Sequence, residues 1–222
     1  MTEHQWGEWK ITKQPTATTT GERTSKCSKC GKAKTEVIKA TGLKSIQTVV
    51  VSGLSDTTYT GKPIIPKVKV ELGKVSLVNN TDYTIAYTNN INAGTATVTI
   101  TGKGNYTGLV TKTFKINKAA NTLKVKAKTP AVKYARLKEK KQIITARKAY
   151  TVSKAKGTVT FKLAGVSKSK FKKYFKVSKS GIISIKKGLK KGTYKVKVKV
   201  KAAGNKNYNA KSKTVTVKIK VK

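Results

Sequence analysis

Two segments of this chain alternate lysine with a branched aliphatic residue, and that pattern suits one kind of structure. Lys195-Val196-Lys197-Val198-Lys199-Val200-Lys201 does so without a break, and Val215-Thr216-Val217-Lys218-Ile219-Lys220-Val221-Lys222 nearly does. Successive side chains of a β-strand point to opposite faces, so each segment has one apolar and one lysine face. A helix would scatter the same valines around its circumference. The pattern predicts half-buried strands of an antiparallel sheet, with Val196, Val198 and Val200 in the core and the lysines in water.

Charge and hydrophobic content divide the 222 residues into three parts. Residues 1–42 carry 8 basic and 4 acidic side chains, both tryptophans, both cysteines and the one histidine. Residues 43–118 carry 9 and 3, and are rich in Thr, Val, Ile, Asn and Gly. Residues 119–222 carry 33 and 1, so this part supplies most of the net charge of +42. A hydrophobic content of 37% is low, but it suffices for sandwiches of about 100 residues each. The expected organisation is a small Trp/CxxC module over 1–42, then two antiparallel β-sandwiches over 43–118 and 119–222. The fold class is therefore all-β.

Strand and turn signals recur about every ten residues from 43 onward, as in a sandwich. Ile46–Val51, Val68–Val70, Asp82–Tyr87, Thr95–Thr101 and Thr113–Ile116 read as strands. Pro63 and Pro66 bracket Ile64-Ile65 and mark an edge or a bend. A second copy of the same plan follows. Gly94-Thr95, a long strand, then Asn105-Tyr106 is matched by Gly192-Thr193, a long strand, then Asn207-Tyr208. Repetition at about one domain length means tandem related domains. One helical turn is predicted at 168–175, where Phe171, Tyr174 and Phe175 stand at i, i+3 and i+4.

Several stretches resemble a known family. Asp82-Tyr83-Thr84-Ile85, Asn89-Asn90-Ile91-Asn92-Ala93-Gly94-Thr95-Ala96 and Gly102-Lys103-Gly104-Asn105-Tyr106-Thr107-Gly108 are similar to the immunoglobulin-like repeats of large exported proteins of Gram-positive bacteria. Lys190-Lys191-Gly192-Thr193-Tyr194 through Asn207-Tyr208 looks like the terminal repeat of such proteins. The resemblance covers about four fifths of the chain and implies an exported, sandwich-built protein. Trp6-Gly7-Glu8-Trp9, Gly21-Glu22-Arg23-Thr24, Cys27-Ser28-Lys29-Cys30-Gly31 and Ala40-Thr41-Gly42 resemble a small module often found beside those repeats. That module usually has a further cysteine where this chain has Ala17, and often a histidine where it has Leu43.

Little chemistry is offered by the residues themselves. Cys27 and Cys30 form a C-x-x-C pair, and His4 is the one histidine available as a third metal ligand. A structural zinc site takes four N or S ligands, so this set would need water, a carboxylate or another chain. A disulfide is the leading expectation in an extracellular setting, with an inert reduced pair as the remaining reading. No cofactor is expected, and His4 is placed in a tail-like segment without a nucleophile to serve. Eight acids, four of them before residue 43, do not suggest a carboxylate pair or a calcium cage. An internal Lys–Asn isopeptide bond needs a buried acid, for which Asp82, Glu71 and Glu139 are candidates; ordinary turn or surface roles are expected instead. Tyr83, Tyr87, Tyr106, Tyr194 and Tyr208 are read as core and corner residues rather than a sugar platform. Trp6 and Trp9 are read as packing the small module.

The expected function is that of a non-catalytic spacer or adhesion module of a secreted or surface protein, a monomer within a longer chain. Lys195, Lys197, Lys199 and Lys201 are the candidate polyanion-binding residues, and anionic wall polymers or surface glycans the expected partners. Only Arg23, Arg136 and Arg147 are arginines, so nucleic acid is expected to bind without sequence preference. The alternatives are a carbohydrate-binding accessory of a larger extracellular enzyme and a nonspecific nucleic-acid binder. No apolar run is long enough to span a membrane. The opening residues lack the charged and apolar regions of a signal peptide, so the expectation is either a cytosolic protein or, as the resemblance favours, the C-terminal part of a longer exported chain.

Overall fold

A computed structural model describes residues 3–222. It is 50% strand and 7% helix, in agreement with the all-β expectation. The chain forms two compact units, one containing residues up to 57 together with 61–116, the other 58–60 and 117–222. Among the described residues no helix is long and apolar enough to cross a membrane.

The first unit opens with a three-stranded antiparallel sheet of Lys10–Lys13, Gly21–Lys26 and Ala33–Ile38. Trp6 and Trp9 are half-buried, with the Lys34 ammonium 4.8 and 5.0 Å from their ring centres and Arg23 4.7 Å from Trp9. Beyond this sheet, Gly94–Gly102 lies between Tyr83–Thr88 and Leu109–Asn117, and Val50–Ser52, Lys69–Leu72 and Val75–Ser76 form a second layer. Ile46, Val70, Val98, Ile100 and Ile116 are its largest fully buried side chains. The strand predicted across 46–51 is interrupted. Val49 N–H donates to the Ile46 carbonyl at 3.1 Å, and this turn sends both Ile46 and Val49 into the core before the strand resumes at Val50.

The second unit repeats the arrangement. Its four-stranded sheet runs in the order Ala131–Val132, Lys211–Val221, Gly192–Ala202, Val159–Val166, and a three-stranded layer holds Gln142–Ile144, Ile183–Ile185 and Phe175–Val177. The two units share features down to single residues. Gly94 and Gly192 start the equivalent long strands with φ of +147° and +150°. A short parallel contact near the start of each sandwich joins Lys44 to Tyr106 and Ala119 to Tyr208. Tyr194 is buried and its hydroxyl donates to the Lys190 carbonyl at 2.8 Å, four residues upstream, as in a tyrosine corner.

The predicted turn of helix is present as a 3-10 helix over Ser169–Tyr174, and Phe171 packs edge-on against Tyr194 at 5.1 Å. Two further short helices, Tyr134–Glu139 and Ala146–Ala149, have no counterpart in the sequence reading. Neither has a side-chain cap, and each is anchored by one buried residue, Leu137 or Ala149. A single uncapped turn of this kind owes its helix to tertiary packing, so no local pattern announces it.

Candidate functional site

The long strand Gly192–Ala202 has the predicted register. Val196, Val198 and Val200 are wholly buried, and Lys195, Lys197, Lys199 and Lys201 are exposed. Each buried valine contributes roughly 1.5–3 kcal/mol of apolar burial. A one-residue slip would put the lysines in its place, which fixes the register strongly. The outer faces of the neighbouring strands extend the row. Lys218 stands opposite Lys195, Lys162 opposite Lys199, and Lys220 opposite Thr193. Thr160, Gly165, Ser212, Thr214, Thr216 and Ala131 are among the other places on this face.

The result is a cationic lattice of seven lysines. Lysines two apart along a strand recur at about 6.8 Å, and directly opposite residues have Cβ atoms about 4.5–5.5 Å apart. Facing like charges destabilise a sheet. No acid stands on this face: Glu139, the one acid of 119–222, is on the helix Tyr134–Glu139. Among the described residues the ion pairs Arg23–Glu36 and Lys69–Glu71 both lie in the first unit. The sequence pointed to Lys195, Lys197, Lys199 and Lys201. Lys162, Lys218 and Lys220 join them only through strand pairing.

A second cluster lies in the small module. The ligand atoms of His4, Cys27 and Cys30 all fall within 4.8 Å of one another, and Cys30 Sγ is 3.2 Å from His4 Nδ1. His4 does not sit in a loose tail. The chain beside it is pinned by an antiparallel bridge between Trp6 and Cys27 and by the Ser28 N–H donating to the Gln5 carbonyl at 2.9 Å. Its ring packs 5.2 Å from that of Trp6. Both thiols are free, Cys27 buried and Cys30 exposed. Burial pushes the Cys27 thiol up, but hydrogen bonds from His4, from the backbone of Lys29 and Cys30, and from the Cys30 side chain outweigh this and lower it to about 6.

The other candidates have ordinary structural roles. Glu71 pairs with Lys69 at 2.7 Å, and an Asp82 carboxylate oxygen accepts the Val78 N–H at 2.8 Å. Tyr83 is buried, and the Tyr87 hydroxyl donates to the Pro66 carbonyl at 2.6 Å. Burial raises both phenols above the ordinary tyrosine value. One feature escaped the sequence reading. Tyr134 lines an open hollow of about 620 Å3 with Lys133, Lys138, Lys191 and Glu139, and the Lys138 ammonium lies 5.2 Å from its ring centre. Most of its lining comes from 133–139, but Lys191 and Lys222 join it from distant segments, so no motif marks it.

No protein-family model and no curated protein matches the chain. Solved structures similar to it include the protocadherin gamma B4 extracellular domain, at 14% identity and a TM-score of 0.38 over 91% of this chain and 37% of that one. Mouse clustered protocadherin gamma C3 EC1-3 gives 9% and 0.39, over 92% of this chain and 77% of that one. Sidekick-1 immunoglobulin domains 1-5 give 12% and 0.39, over 92% and 46%. The chain thus spans little more than a third of the first of these structures. Identity and superposition this low speak to neither activity nor ligand.

Proposed function

We propose that this chain is a non-catalytic part of a secreted or surface-attached bacterial protein, a spacer or adhesion module that its second unit holds against anionic polymers of the cell wall or surface. The observation that supports this reading is the lysine lattice of Lys162, Lys195, Lys197, Lys199, Lys201, Lys218 and Lys220, which no acid on that face neutralises. A polyanion with charges every several ångströms relieves the cross-strand repulsion and gains attraction from many lysines at once. Lysine ammonium groups are mobile point charges without the planar fork of arginine, so binding follows charge density rather than chemical identity.

Immobilised teichoic-acid-type polyol phosphate, heparin and duplex DNA test this with the full chain. All three should retain it with similar, modest affinity and release it by a few hundred millimolar salt, where the Debye length falls below roughly 5 Å. Retention of one ligand alone at high salt would overturn diffuse attraction. The Tyr134 hollow favours a second reading, an acidic-sugar site in which Lys138 and Lys191, held near the Tyr134 ring, take the sugar's carboxylate. Saturable binding of a short acidic oligosaccharide, abolished by Tyr134→Ala, would distinguish it.

A further inference from the structure

We propose that His4, Cys27 and Cys30 form a three-ligand site for one exchangeable zinc ion, whose fourth position is filled by water or a donor from another molecule. The inference is independent of the lysine lattice. It begins with distance. A tetrahedral zinc with Zn–S of about 2.3 Å and Zn–N of about 2.0 Å needs its donors roughly 3.5–3.8 Å apart. Here all three ligand atoms already lie within 4.8 Å of one another. Small side-chain rotations close that gap without moving backbone.

The backbone around the ligands is built on both sides. Cys27 N–H donates to the Lys32 carbonyl at 2.8 Å and Gly31 N–H to the Cys27 carbonyl at 2.9 Å, closing a tight turn that brings Cys30 back beside Cys27. Gly31 has φ +72°, a conformation that glycine adopts without strain. From the other side, Gly7 N–H donates to the Lys26 carbonyl at 3.0 Å and the Ser28 hydroxyl to the Gln5 carbonyl at 3.2 Å. These contacts hold the strand that presents His4.

Charge balance suits a divalent ion. Two thiols each release a proton to the buffer, and two thiolates with a neutral imidazole then match Zn2+. The chain has two cysteines and one histidine, so no further soft ligand can complete the shell. Three protein ligands with one open position describe an exchangeable ion rather than a locked structural one.

Cobalt titration of the fully reduced chain without oxygen tests the site, because Co2+ reports its own coordination. One Co2+ per chain should bind, with a thiolate-to-cobalt charge-transfer band in the near ultraviolet and strong visible bands of a four-coordinate ion. One equivalent of Zn2+ should bleach both. Cys30→Ser should remove most of the charge-transfer intensity, and His4→Ala should weaken Co2+ binding at least tenfold. Lys34→Gln, a neighbour that donates nothing to the metal, should leave binding unchanged. Circular dichroism of each variant confirms that its sheet is intact. Absence of a charge-transfer band at millimolar Co2+ in a chain with two free thiols overturns the proposal. So does a folded Cys30→Ser or His4→Ala variant that binds as the parent does.

Discussion

Tyr150 is the one side chain of the second core with a polar atom left over. It is 3% exposed and stacks on Phe161 at 5.1 Å, and its hydroxyl is buried without a protein partner. A buried hydroxyl that loses water and gains nothing costs roughly 1–3 kcal/mol. Tyr150→Phe keeps the ring and removes that cost, so the variant should be more stable than the parent by about 1 kcal/mol in urea unfolding. Burial also holds the Tyr150 phenol well above the ordinary tyrosine value. The folded state then keeps its proton where the unfolded chain has lost it. The tyrosine's contribution is intact below about pH 10 and is lost as pH rises from there toward the folded-state value. The Phe variant should therefore lose less stability in alkali. Equal alkaline sensitivity would place the cost elsewhere.

At the scale of elements, the antiparallel pair Val159–Val166/Gly192–Ala202 ends, beyond Val159 and Ala202, in a close approach of two glycines. Gly157 has φ +83°, and a Cβ there would overlap the carbonyl oxygen of Gly204. Gly188 has a similar φ of +88° but meets only an ordinary contact with Tyr174 at 4.0 Å. Gly188→Ala should cost about 1–2 kcal/mol from backbone conformation alone. Gly157→Ala should cost distinctly more, since backbone must also move. Thermal unfolding of the two variants side by side tests the ranking, and equal losses would contradict it. These elements also show what a sequence can and cannot reveal. The strand Gly192–Ala202 was legible because one side of its alternation must be buried, which sets face and register together. Helix Tyr134–Glu139 was not legible, because its one anchor, Leu137, is buried by distant segments. The residues of the His4, Cys27 and Cys30 cluster were legible, but not their convergence. The C-x-x-C turn is local, but His4 reaches it only through the Trp6–Cys27 bridge, 21 residues apart in sequence. Lys162, Lys218 and Lys220 likewise joined the lattice through pairing that composition does not encode.

For the whole molecule, charge is the dominant fact. Of the 50 basic residues, 33 lie in 119–222 beside one acid, and the sandwich folds so that seven of its lysines share one outer face while Val196, Val198 and Val200 share the inner one. The same alternation that makes the core makes the charged surface, and neither needs a pocket. The most direct measurement is the slope of log K against log salt concentration for the full chain on duplex DNA. It is compared with a variant carrying Lys195→Gln, Lys197→Gln, Lys199→Gln and Lys201→Gln. Each phosphate neutralised contributes about −0.9 to that slope. If the lattice is the contact surface, the variant's slope should be shallower by about 2–4 with affinity reduced at every salt concentration. An unchanged slope in a folded variant would show that the anion binds elsewhere and would contradict the account.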